Sequence, residues 1–231
     1  RTALRQGYEN VKIGPLSLET LREVCGTLLD EPVQFRGPQD QVYIGNRTAG
    51  TVTYTPPNGG PELTDKLRNL EAYLLDPNGV DPLIRMAVAH YQFEAIHPFA
   101  DGNGRMSRIL NLMLLYQAGY DVGRYISLEK VIEDSKETYY EALEASSDGW
   151  HEGRHDLVPW LQYSHGVLIA AYLEFEQRVG QMGTGRGAKR EMVIDCIRHL
   201  STTFRYADVE RACPGVSRPT IVRVLGELRD N

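Results

Sequence analysis

The chain has 231 residues, 42% of them hydrophobic and 24% charged, and a formal net charge of −6. This composition supports a packed core, excludes disordered and collagen-like classes, and argues against general nucleic-acid affinity for the chain as a whole. Cys25, Cys196 and Cys213 are too few and too widely spaced for a disulfide framework or a zinc pattern, and they fit a reducing cytoplasm. The charge is uneven: residues 186–231 carry a net +3, which leaves −9 on residues 1–185 and suggests a mildly basic module on an acidic body. No apolar run approaches the ~18 residues of a membrane span. The first residues have no signal-peptide core.

Residues 1–15 read as a separate N-terminal segment, expected to be truncated because no initiator Met opens it. Ser17 is a candidate cap for a helix reaching about Asp30, with Leu18, Leu21, Val24, Cys25 and Leu28 on its inner face. Val42, Tyr43 and Ile44, then Thr51 to Tyr54, read as two short strands across a turn at residues 45–50. After a Pro- and Gly-rich break, Leu63, Leu67, Leu70 and Leu74 mark a helix with one apolar side. Asp81-Pro82 starts another, carrying Ile84, Val88, Tyr91 and Phe93, which should end near Ile96 ahead of Pro98. The next opens around Asn103 to Arg105. Two more are expected over about 127–145 and 156–179. Residues 180–189, rich in glycine, read as a flexible linker. Residues 190–231 suggest three short helices, a helix-turn-helix or winged-helix-like module whose last helix would enter a major groove. No wing hairpin is visible after Leu228.

The chemistry concentrates between the helices ending near Ile96 and starting near Asn103. His97 is a candidate general base, because imidazole titrates near neutral pH. Asp101 is a hard oxygen donor suited to Mg²⁺, which is bound through one or two carboxylates plus phosphates. Gly102 and Gly104 allow close approach to an anion at a helix N-terminus. Arg105 and Arg108, three residues apart, can fork onto phosphate oxygens. His90, Glu94 and His97 share a helical face and form a rival candidate metal site, although no further ligand spacing supports it.

The segment His97-Pro98-Phe99-Ala100-Asp101-Gly102-Asn103-Gly104-Arg105-Met106-Ser107-Arg108 resembles the Fic family signature at every specified position. The resemblance spans about residues 16–179. It implies a mostly helical bundle with a short β-hairpin flap, and AMP transfer from ATP to a Tyr, Thr or Ser hydroxyl of a protein. It implies His97 as base, Asp101 on Mg, and Gly102, Asn103, Gly104, Arg105 and Arg108 around the phosphates. Tyr139, of the pair Tyr139-Tyr140, would line the nucleotide pocket. Val52, Thr53 and Tyr54 fall where such proteins dock an extended target segment by strand addition. Gly104 stands where the related phosphorylating Doc toxins carry Lys, which favours nucleotidyl transfer. The family's inhibitory motif, Ser/Thr-x-x-x-Glu-Gly/Asn, has no match: Glu9-Asn10 has Arg5 at the hydroxyl position and Glu152-Gly153 has Asp148. It is expected upstream or missing. A second class of reading is a regulator that senses nucleotide with this core and binds DNA or a protein through Arg218, Thr220 and Arg223. A homodimer stays open under either.

Overall fold

The computed structural model describes residues 2–46, 51–75, 79–184, 188–200, 203–213 and 216–229. They form helices α1 (Thr2–Ile13) and α2 (Leu18–Leu29), then strands β1 (Ile44–Asn46) and β2 (Thr51–Tyr54). Helices α3 (Pro61–Leu75), α4 (Pro82–Ile96), α5 (Asn103–Gln117), α6 (Leu128–Asp134), α7 (Lys136–Ser147) and α8 (Val158–Thr184) follow. Helices α9 (Ala188–His199), α10 (Tyr206–Ala212) and α11 (Arg218–Arg229) come last. The chain divides into two compact units, Arg1–Tyr172 and Leu173–Asn231, with the boundary inside α8.

The first unit is organised by α4 and α5, which pack against each other more extensively than any other pair of elements. Both are buried on nearly every face: Met86, Tyr91 and Phe93 on α4, and Met106, Leu110 and Met113 on α5, are almost wholly enclosed. Helices enclosed on most sides belong in a core, and neither shows a clean amphipathic stripe. Each large side chain removed from water contributes about 1.5–3 kcal/mol. The helix ends follow local chemistry. Ser17 Oγ accepts the Thr20 N–H, and Asp81 Oδ1 accepts the Leu83 N–H ahead of Pro82. The four leucines of α3 are all buried, as their spacing predicts.

Three boundaries differ from the sequence reading. Residues 1–15 are not a separate segment: α1 packs on α5 and α2, with Gly7 against Met113 and Tyr8 edge-on to Tyr116. The helix expected over 127–145 breaks at Ser135, whose Oγ meets the Val131 carbonyl at 2.8 Å and the Tyr163 hydroxyl at 2.9 Å. The linker starts later than expected, because α8 continues through Gly180 to Thr184. A helix glycine costs about 1 kcal/mol relative to alanine, too little to stop a helix already propagating. Residues 185–187 of that linker lie outside the described residues.

β1 and β2 pair antiparallel, Ile44 opposite Tyr54, Gly45 opposite Val52 and Asn46 opposite Thr51, with an irregularity between Ile44 and Gly45. The turn expected between them includes residues 47–50, outside the described residues. In the second unit α9, α10 and α11 close over Val193, Val209, Cys213, Val216, Ile221 and Val224. Pro214 and Gly215, between α10 and α11, lie outside the described residues. A wing would add a β-hairpin, and the described residues of this unit contain no strand.

Candidate active site at the α4–α5 junction

α4 stops because His97 turns left-handed (φ 52°, ψ 61°), its N–H bonding to the Phe93 carbonyl at 2.9 Å, and Pro98 cannot continue the helix. A non-glycine residue in that region is strained by about 1–3 kcal/mol, so its surroundings must hold it. Phe99 anchors the loop that follows, enclosed and stacked on Phe35 at 5.1 Å. Asn103 closes the loop from the other side. Its Oδ1 accepts the Phe99 N–H at 2.9 Å and its Nδ2 donates to the Phe99 carbonyl at 2.8 Å. That side chain braces the loop, and these two bonds leave one Nδ2 hydrogen unused.

Gly102 sits at φ 82°, where a side chain would be strained and would also press on Leu29. It caps α5 without any side-chain hydrogen bond to the first N–H groups of the helix. His97, Gly104 and Arg108 line one cleft of about 710 Å³ beside this helix end. Ile44, Gly45, Thr53 and Tyr54 of the strand pair line it from above, and Tyr139 and Tyr140 from α7. Arg108, largely enclosed, lies 3.8 Å from Glu129.

The remaining expected residues divide. Asp101 stands at the surface with its side chain 80% exposed; Oδ1 accepts the Gly102 N–H at 2.6 Å and Oδ2 is 3.4 Å from Arg105. Arg105 pairs there and does not line the cleft. Tyr139 is 4% exposed, its hydroxyl bonded to His90 Nε2 at 3.1 Å and near Glu94 at 3.4 Å, so it forms the cleft's floor. Tyr140, 55% exposed, presents the freer ring. Tyr54 also turns inward: its hydroxyl donates to the Ala95 carbonyl at 3.0 Å and its ring stacks on His151. Of the three flap residues, Val52 and Thr53 are the exposed ones.

Burial dominates the electrostatics. His97 is pushed down to about 4 and His90 to about 3, so both imidazoles are neutral at pH 7. Burial likewise raises the Glu94 carboxyl, against the hydrogen bond from Ser107 Oγ at 2.5 Å. Glu94 Oε2 is 3.9 Å from His97 Nδ1. The rival metal face does not form: His90 is wholly buried against Tyr139 and Trp160, and no group of three or more His, Cys, Asp or Glu gathers for a metal among the described residues. A cation held by one carboxylate plus substrate phosphates suits Asp101, whose side chain is largely exposed beside Arg105.

Sequence reasoning missed Arg36. It is 3% exposed, and its guanidinium donates to the carbonyls of His97 (2.7 Å), Pro57 (3.0 Å), Ile96 (3.1 Å) and Asp40 (3.1 Å). The local sequence, Val33-Gln34-Phe35-Arg36, does not mark that arginine as buried.

Residues 15–115 match the family model described as Fic/DOC family. The chain carries a Fic domain. Protein adenylyltransferase Fic of Culex quinquefasciatus is 31% identical over 74% of this chain and 34% of its own length. Protein adenylyltransferase fic-1 of Caenorhabditis elegans is 28% identical over 78% of this chain and 31% of its own. The chain thus spans about a third of the length of these curated relatives. A solved Fic family protein from Desulfovibrio desulfuricans G20 superposes with a TM-score of 0.60 at 26% identity, covering 96% of this chain and 65% of that one. The α4–α5 junction lies inside the matched Fic residues, as does the strand pair.

The basic face expected to bind DNA is largely paired. Arg218 lies 3.3 Å from Glu210, and Arg223 lies 2.7 Å from Glu227. No helix among the described residues is long and apolar enough to cross a membrane.

Proposed function

We propose that this Fic domain transfers AMP from ATP to a hydroxyl group of a protein. The observation that carries the reading is the convergence of His97, Gly104 and Arg108 on one cleft at an uncapped helix N-terminus. The names of the relatives, protein adenylyltransferases, support the same chemistry. The neutral His97 imidazole accepts the proton of a Tyr, Thr or Ser hydroxyl as its oxygen attacks the α-phosphorus. The bond from that phosphorus to the bridging oxygen breaks, and pyrophosphate leaves. The N–H groups at the start of α5 and the Arg108 guanidinium stabilise charge on the phosphate oxygens, an effect strongest in an enclosed site. Asp101 would hold a Mg²⁺, which supplies charge neutralisation between phosphates. Tyr140 offers a face for the base. The target segment adds as a strand beside β1 and β2, near Val52 and Thr53. The free cysteines suit a reducing cytoplasm.

Intact-mass measurement after incubation with Mg²⁺ and each nucleoside triphosphate tests this directly. The expected result is a gain of one AMP with ATP, on the protein or on an added target, that is absent in His97→Ala. A gain of phosphate alone, or an equal AMP gain in His97→Ala, would sink the reading.

A further inference from the structure

A buried guanidinium is costly, and Arg36 has no carboxylate partner among its hydrogen bonds. Burial therefore lowers its pKa, with Asp40 opposing. Its partners are carbonyls drawn from three stretches of chain. Ile96 and His97 are the exit of α4, where the candidate base sits. Pro57 lies just past β2, on the strand pair's outgoing chain. Asp40 belongs to the approach to β1. The backbone of Arg36 adds to this, its N–H bonding to the Pro98 carbonyl at 2.9 Å and its carbonyl accepting the Gly60 N–H at 3.0 Å. The approach is so close that a Cβ on Gly59 would collide with the Gly37 carbonyl oxygen. Arg36 thus ties the left-handed turn at His97 and both ends of the strand pair to one point.

We propose that Arg36 is a positioning residue for group transfer, fixing the His97 turn and the strand pair relative to each other, and so setting the slot that the acceptor hydroxyl enters. The proposal rests on the AMP-transfer reading for its kinetic arm. The planar fork is what the geometry needs. Several carbonyls at different angles around one guanidinium cannot all be served by the three clustered donors of a lysine. The side-chain hydrogen bonds of Arg36 go to the carbonyls of Asp40, Pro57, Ile96 and His97 rather than to the α5 end, where Gly104 and Arg108 line the cleft, so nucleotide binding should be indifferent to them. Its charge also bears on His97. The groups facing that imidazole are Glu94 from α4, Asp101 from the loop and Arg36 from the chain before β1. Arg36 opposes protonation, Asp101 favours it, and burial outweighs both.

The test compares Arg36→Lys, which keeps the charge and loses the fork, with Arg36→Gln, which loses the charge. For a misplaced base and acceptor, kcat in Arg36→Lys should fall about 10- to 100-fold. The Kd for ATP should stay within about twofold of the parent. Melting curves establish that the variant is folded. NMR titration of the His97 ring, which needs no turnover, should show its pKa rising above about 4 in Arg36→Gln and staying in Arg36→Lys. Unchanged kcat in folded Arg36→Lys, or kcat and ATP affinity falling together, would overturn the proposal. So would an unmoved His97 pKa in Arg36→Gln. If the parent protein transfers no AMP, the functional reading fails alone, and the NMR titration still decides whether Arg36 acts on His97.

Discussion

The exit of α4 and the entry of α5 face the same cleft and are finished in opposite ways. At the α4 end, the carbonyls of Ile96 and His97 are both taken by Arg36, and the backbone is locked in a left-handed turn. At the α5 end, Gly102 brings no capping side chain to the first N–H groups. A base must be held still, whereas an anion site must be left unsatisfied until its ligand arrives. The loop between them is rigidified from behind by Asn103 and Phe99, so that neither end borrows stability from the cleft.

The largest test separates the two ends. His97→Ala should lower kcat about 10²- to 10⁴-fold, the ordinary weight of a positioned base. It should keep the thermal stabilisation by Mg·ATP, about 2.7 kcal/mol at 100 times Kd. Arg108→Ala should lose most of that stabilisation instead, read as a smaller ligand-induced Tm shift. If both variants lose ligand binding alike, the division of labour between the ends is wrong.

Next in size is the brace behind the loop. Asn103→Ala leaves the buried N–H and carbonyl of Phe99 without partners, at about 1–3 kcal/mol for each group. Urea unfolding should show a loss of about 2–6 kcal/mol. A loss under about 1 kcal/mol would mean the loop is held by Phe99 packing alone.

Acid should loosen the α4 end specifically. His90 and His97 are neutral in the folded chain down to about pH 3 and about pH 4, because both are buried. The unfolded chain protonates each near pH 6.5, so below that it binds more protons than the folded chain. Stability should be flat above pH 6.5 and fall on acidification toward pH 4, by up to about 1.4 kcal/mol per pH unit for each histidine. His90→Phe should flatten part of that slope in a pH series of chemical denaturations. An unchanged slope would show that His90 is not the group taking up the proton.

The smallest effect is expected in the second unit. Arg223→Ala removes one i, i+4 pair with Glu227 on α11 and should cost at most about 0.5 kcal/mol. A larger change in melting temperature would show that this pair is more than a solvated surface contact.

The sequence by itself determined what depends on near neighbours. The start of α4 at Asp81-Pro82, its end before Pro98, the leucine stripe of α3 and the motif loop were all legible, because caps, prolines and helical spacing act over a few residues. The loop's chemistry-bearing residue types were legible, and their contacts less so. Tyr139 lines the cleft as expected, while the Asn103 side chain also braces the loop behind it. The tertiary structure alone decided the rest. α1 became part of the core because Gly7 could approach Met113, and α8 ran through its glycines because nothing local was strong enough to end it. Tyr54 turned inward to a carbonyl 41 residues away, and Arg36 found partners 21 to 61 residues away. A buried polar group is defined by the partners the fold brings to it, and no spacing within a single segment encodes that.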